Sequence, residues 1–262
     1  MIAYVIAAGL LGLIFGSFAT VAAHRIPRRE SIVTGRSKCP NCGRTITASE
    51  NIPVASYLIQ RGRCRGCGYR ISVRYPAIEL ATRILFAVAA AKFELSVEAV
   101  VYAGFFWALV VLSVIDQEHK LLPNRVVFPT FAAGLVGLAV AALADDAPER
   151  IARAGLGALV FGGFFFVVIM IVPRGMGGGD MKLGFVLGLF LGYLGTSIGN
   201  AIGMVLVGMF LSFFLGGIGG LVMLSLGRGR KSQIRFGPFL ALGAVSAIVV
   251  GQRILDAYLG TF

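Results

Sequence analysis

The sequence predicts an all-α polytopic membrane protein of about eight transmembrane helices, with one small polar segment between the first helix and the second. Three observations carry this reading. Of 262 residues, 57% are hydrophobic and 14% charged, against about 25% charged in soluble domains. Uncharged runs near the length a bilayer requires, about 20 residues, recur along the whole chain. All four cysteines fall in the single long polar stretch, as two C-x2-C pairs.

The first run, 1–23, has no basic residues before it and is followed by Arg25, Arg28 and Arg29. It therefore reads as an N-out anchor and not as a cleaved signal peptide. Residues 24–76 form the polar segment. Residues 77–262 read as a transmembrane domain of about seven helices, with runs at 99–115, 126–144, 154–173, 183–227 (enough for two crossings) and 236–252. A further stretch at 77–95 is weaker, because Glu79 and Arg83 interrupt its start. There is no tandem repeat and no low-complexity tail. Glycine is concentrated in the apolar runs, as in GLVGLA and FFLGGIGG, where small residues let helices approach closely. GLGALVFG at 155–162 follows no strand and so is not a nucleotide-binding loop.

The net charge of +12 records topology. With the N-terminus outside, segments 24–76, 117–125, 174–182 and 227–235 lie inside and hold 19 of the 24 basic residues. The outer loops carry Lys92, Glu94, Glu98 and the acidic DDAPER at 145–150. This is the positive-inside bias of membrane proteins. It favours contact with anionic lipid and argues against nucleic acid as a partner.

Segment 24–76 contains KCPNCG and RCRGCG, which place Cys39, Cys42, Cys64 and Cys67 in a C-x2-C-x21-C-x2-C pattern. Two such knuckles offer four thiolates at tetrahedral reach, with a glycine after each second cysteine to ease the turn. The separation is close to that of zinc sites. Eleven basic residues assign the segment to the reducing cytoplasm, where disulfides are disfavoured. With no His, Asp or Glu inside either knuckle, the expected zinc is structural; a catalytic zinc keeps an open position.

Two acids stand at the edges of apolar sequence, where charge is costly and commonly functional. Asp116 closes FFWALVVLSVI, and Asp180 follows the glycines of GMGGGD. The expected topology puts both at one depth, just inside the cytoplasmic boundary. Two carboxylates brought close cannot both ionise cheaply, so one retains a proton while the other activates water. Gly177 and Gly179 are read as an extended, side-chain-free approach for a substrate peptide, with Lys182 beside it. Ordinary helix-boundary acids remain the bland reading of each aspartate taken alone.

The chain resembles the type IV prepilin peptidases, bacterial intramembrane aspartyl proteases. The resemblance rests on GSFATVAAHRIP (16–27), CPNCG with NIPVASYL (39–58), RGRCRGCGYRISVRYPAIEL (61–80), IDQEHKLLPN (115–124), Gly177-Gly178-Gly179-Asp180 with MKLG, and FGPFLALG (236–243). It implies an aspartic endopeptidase of the bacterial cytoplasmic membrane, with its active site facing the cytoplasm. Its catalytic pair would be Asp116 and Asp180. Its substrates would be prepilin-like proteins of type IV pili or type II secretion, each with a basic leader before an apolar helix. It also implies a second activity, methylation of the new N-terminus with S-adenosylmethionine. Many relatives read LLPD where this chain has Asn124, an amide that cannot exchange a proton at working pH. Glu79 is a weak candidate for contact with substrate or methyl transfer, and a pairing with Arg83 one turn on accounts for it equally well. A proton- or metal-coupled transporter and a non-catalytic scaffold are the rival readings. Against transport, both acids lie at a boundary and no inverted repeat is visible.

Overall fold

In the computed structural model, which describes residues 1–172, 177–226 and 235–259, the regular elements are helices, and the only pairings of extended chain among the described residues are two isolated bridges. The chain forms two compact units, Met1–Leu95 and Ser96–Phe262.

In the first unit, α1 (Ile2–Arg25) packs on α3 (Arg74–Phe93). Spacing explains the pairing. Gly9, Gly12 and Gly16 share one face of α1, and a Cβ on Gly16 would lie 2.6 Å from the Cα of Glu79. Only glycine permits that approach. Ile6, Leu10 and Ile14 are exposed, as expected of side chains that face lipid. Between the two helices, each cysteine knuckle closes on itself through one bridge, Lys38 with Thr45 and Arg63 with Arg70. Gly43 (φ 69°) and Gly68 (φ 70°) take the left-handed conformation that each turn requires. The short helix α2 (Ala55–Ile59) follows the first knuckle. Glu50 ties the segment together. Its carboxylate accepts from the Thr47 N–H (3.0 Å) and from Arg44 (2.9 Å) in the first knuckle, and lies 3.9 Å from Arg65 in the second. The Thr47 N–H and hydroxyl, and then Arg44, hold this carboxyl below its usual range.

The second unit contains α4 (Val97–His119), α5 (Asn124–Ala144), α6 (Glu149–Ile171), α7 (Gly178–Tyr193), α8 (Ile198–Ser225) and α9 (Gly237–Leu259). Ser96 and Ser197 cap α4 and α8, each side chain accepting a backbone N–H three residues on. The long apolar run 183–227 thus breaks at residues 194–197, where α7 ends and the Ser197 cap starts α8. α4 packs against α5 and α9, and α6 against α7 and α8. Tyr102, Phe105, Phe106 and Phe190 fill the centre, and the Tyr102 hydroxyl donates to the Phe190 carbonyl at 2.7 Å. α6 and α7 approach so closely at Gly157 and Gly188 that a Cβ on either would collide with the other's backbone.

Six helices (α1, α4, α5, α6, α8 and α9) are long and apolar enough to cross a membrane. The chain is an integral membrane protein. Eight crossings is an approximate count. α3 carries charges in its first half, and the 16 residues of α7 extend about 24 Å at 1.5 Å per residue, short of the roughly 30 Å hydrocarbon core.

Candidate functional site

Four helix ends supply the polar groups of one cluster in the second unit. Asp116 sits in the last turn of α4 and is 8% exposed. The helix stops because Lys120 adopts the left-handed conformation (φ 55°, ψ 41°), with its N–H on the Asp116 carbonyl at 2.9 Å. The Asp116 side chain accepts a 3.1 Å hydrogen bond from the N–H of Gly237, the first residue of α9. An acid from one helix therefore satisfies an orphan donor at the start of another. Glycine is required there, since a Cβ would lie 2.8 Å from Asp116 Oδ2.

Asp180 occupies the first turn of α7 and is partly buried. It lies within range of the Asp116 charge, so the structure brings the two acids together. The glycines differ from the expected extended run. Gly177 is extended (φ −79°, ψ 143°), but Gly178 and Gly179 already belong to α7. The Asp180 N–H turns back to the Gly177 carbonyl at 3.0 Å, which tightens the first turn. A Cβ on Gly179 would meet Leu122, in the loop after Asp116, at 3.1 Å. Gly175 and Arg174 of the same approach, and residues 227–234 of the last expected inner segment, lie outside the described residues. Lys182 donates to Asn124 Oδ1 at 3.0 Å and lies over the Phe128 ring. This bond links the start of α5 to the start of α7, two residues beyond Asp180.

The four cysteines form a separate cluster within the first unit, with all four sulfurs within 4.8 Å of one another. The S···S edge of a tetrahedral zinc–thiolate site is about 3.8 Å, from a Zn–S bond of about 2.3 Å; Cys39 and Cys67 lie 3.9 Å apart. Backbone N–H groups of Cys42 and Asn41 draw the Cys39 thiol down to about 6. At Cys42 the Arg44 N–H favours the thiolate, but desolvation and the neighbouring sulfurs push the thiol up to about 11. Four thiolates this close cannot all ionise unless a cation neutralises them. Asn41 and the Gly66 N–H direct hydrogen bonds at Cys67 (3.6 Å) and Cys64 (3.4 Å) sulfur, the outer-shell support that metal ligands commonly have. The cluster can bind a metal.

Glu79, in the second turn of α3, belongs to the first unit. Among the described residues it makes no ion pair with Arg83. Its carboxylate accepts the N–H of Val54 at 2.8 Å. Neither this bond nor the Gly237 donor was visible in the sequence, because a backbone N–H has no residue signature. FGPFLALG gave the sole hint of the second.

Comparison with known proteins extends over both units. Residues 10–93 match the family described as Bacterial Peptidase A24 N-terminal domain, and residues 103–221 match the Type IV leader peptidase family. The chain is 38% identical over 251 residues to a prepilin leader peptidase/N-methyltransferase of Bacillus subtilis (strain 168), covering 95% of this chain and 96% of that one. A protein of the same name from Pseudomonas aeruginosa is 33% identical over 285 residues, covering 98% and 94%. One from Myxococcus xanthus (strain DK1622) is 40% identical over 183 residues, covering 70% of this chain and 54% of its own. No solved structure matches.

Proposed function

Because the chain belongs to the type IV leader peptidase family, an aspartic prepilin peptidase that also N-methylates its product, we propose that Asp116 and Asp180 are the acids that cleave the leader. The observation that carries this is their approach from two different helix ends, with Asp180 inside the field of Asp116. One acid holds a proton and the other takes one from water. That water attacks the scissile carbonyl while the protonated partner donates to its oxygen and then to the departing amine. The Gly237 N–H fixes the rotamer of Asp116, and the Lys182–Asn124 bond holds the segment bearing Asp180 against the loop that follows Asp116. Asn124 acts here as an acceptor only, which suits a positioning role and needs no third titrating acid. Gly177, the extended residue just before α7, leaves room for an extended peptide to reach Asp180.

The site faces the cytoplasm of a bacterial inner membrane. The support is the basic bias of segments 24–76 and 117–125, which would also keep a Lys- or Arg-rich leader on that side. Substrates are prepilin-like proteins whose apolar helix docks within the membrane, among lipid. The metal of the cysteine cluster is zinc, held by Cys39, Cys42, Cys64 and Cys67; it supplies folding energy to a segment with few apolar contacts. The methyl donor is S-adenosylmethionine. Co-expression with a prepilin tests the peptidase reading. The wild-type chain shortens the substrate by its leader, and Asp116→Asn and Asp180→Asn leave it at full length. Full processing by either variant contradicts the assignment.

A further inference from the structure

Asp116 and Asp180 meet at one end of the second unit, and another set of polar side chains is buried at the other end. Glu98, in the first turn of α4, and Tyr193, the last residue of α7, are 8% and 3% exposed. The Tyr193 hydroxyl donates to Glu98 Oε1 at 3.1 Å. Arg150, in the first turn of α6, donates to the same oxygen at 3.4 Å. It also donates to Asp145, just past the end of α5, at 2.9 Å and lies over the Tyr193 ring. Along α4, Glu98 stands about 27 Å from Asp116 at 1.5 Å per residue. Ionisable groups are costly in a membrane protein and usually mark function, yet these are too distant to touch the scissile bond.

Their use lies in the helices they join. α4 carries Asp116 and α7 carries Asp180. α4 packs on α5 and α9, and α7 packs on α6, so long side chains link the two acid-bearing helices. Glu98 and Tyr102 stand four residues apart, on one face of α4. Phe190 and Tyr193 stand three apart, on one face of α7. Besides the Tyr193–Glu98 bond, the Tyr102 hydroxyl donates to the Phe190 carbonyl at 2.7 Å, and the Phe105 and Phe190 rings stack with centroids 3.8 Å apart. The Phe190 carbonyl is one of the last four of α7, which a helix leaves without an internal partner. The Leu194 N–H, which would otherwise reach it, turns to the Leu191 carbonyl at 3.2 Å. Tyr102 takes its place.

These two hydroxyl bonds fix a coordinate that the remaining contacts define poorly. Glycine contact at Gly157 and Gly188 sets how near α7 lies to α6, and stacked rings accept a range of offsets. A hydroxyl bond is short and directional, so it sets position along the helix axis. α7 is one uninterrupted helix of 16 residues, and a shift along its axis at Tyr193 is carried to Asp180. A slip of one residue is about 1.5 Å, and misplacement by about 1 Å at a reacting group can cost about 10²-fold.

We propose that Glu98, Tyr102 and Tyr193 form a clasp that sets the depth of Asp180 relative to Asp116. They are positioning residues for leader cleavage, and Arg150 holds the clasp against the ends of α5 and α6. The inference rests on the two aspartates being the cleaving pair and adds the device that registers them.

The test measures leader cleavage by the full-length protein in detergent, with a purified prepilin as substrate. Tyr102→Phe and Tyr193→Phe remove one hydroxyl each and keep the ring. Each is expected to lower kcat about tenfold with KM within twofold of wild type and helicity unchanged. The pH profile of kcat reports the two acids as a coupled pair; it narrows as slip separates them and their mutual repulsion falls. A residue that only stabilised the fold would leave that profile in place. Glu98→Gln, which still accepts from Tyr193, recovers most of the rate that Glu98→Ala loses. If Tyr102→Phe does not fold, Tyr193→Phe and the two Glu98 variants decide the matter. Wild-type kinetics in either folded tyrosine variant, or a lower kcat with an unchanged pH profile, overturns the clasp. The acid assignment then stands as long as Asp116→Asn and Asp180→Asn are inactive. Full processing by either aspartate variant removes both.

Discussion

The two units handle polar chemistry beside a membrane in opposite ways. The second places two acids on the ends of regular helices and surrounds them with aromatic and glycine packing; each acid has its position set by backbone, Asp116 by the Gly237 N–H and Asp180 by the first turn of α7. The first has little regular structure between α1 and α3. It holds its shape through sulfur, arginine–carboxylate pairs and the Val54–Glu79 bond. On the proposed reading, chemistry in the second unit depends on single side chains, and the scaffold is expected to tolerate their loss. In the first, scaffold and site are the same residues, and removing a ligand removes the shape.

The largest effects belong to the acids. Asp116→Asn and Asp180→Asn are each expected to lower leader cleavage by about 10³-fold or more, near the upper part of what general acid–base catalysis supplies, with unchanged detergent-extracted yield and helicity. Processing assayed on purified protein measures the rate; a loss of under tenfold for either would break the contrast. Gly237→Ala comes next. Its Cβ would displace Asp116 Oδ2, and a displacement of about 1 Å at a reacting group can cost about 10²-fold. Cleavage at wild-type rate would show that the Gly237 donor does not position the acid.

The charge bias sharpens the same picture by placing the acids on one side of the membrane. Glu118→Cys, in a background that keeps the four native cysteines metal-bound, should resist an impermeant thiol reagent in intact cells and react once the membrane is opened. Labelling in intact cells inverts the topology.

Much of this architecture was legible, and particular residues show why. Runs such as 99–115 and 126–144 needed only hydropathy, and the cysteine knuckles needed only spacing, because each signal is local. The break inside 183–227 was expected from length alone; its position depends on Ser197, a capping residue recognisable once α8 is known to begin there. α3 was the weakest stretch because Glu79 and Arg83 interrupt it, yet α1 glycines pack directly against those turns. What could not be read is the set of bonds that join distant segments through the backbone or an amide: Gly237 to Asp116, Val54 to Glu79, Lys182 to Asn124. Such pairings lie 121, 25 and 58 residues apart and leave no periodicity.

Metal removal probes the first unit. Elemental analysis should find about one zinc per chain. Paired Cys39→Ser and Cys42→Ser changes should expose residues 36–72 to trypsin while reducing cleavage far less than either aspartate change. Gently purified protein without metal would contradict this. Asn124→Ala is expected to be the mildest, at most about fivefold on cleavage, because an exposed hydrogen bond contributes about 1 kcal/mol; a loss comparable to that of Asp180→Asn would make Asn124 part of the acid machinery.

That Asp116 and Asp180 serve leader cleavage and not methyl transfer is the central claim, and one assay addresses it directly. Asp180→Asn is given either an intact prepilin or a synthetic peptide that begins at the mature N-terminus, and mass spectrometry counts leader removal and added methyl groups separately. The account predicts no cleavage of the intact substrate and continued methylation of the pre-cleaved peptide. Loss of both activities in a variant that is folded and retains its metal would contradict it.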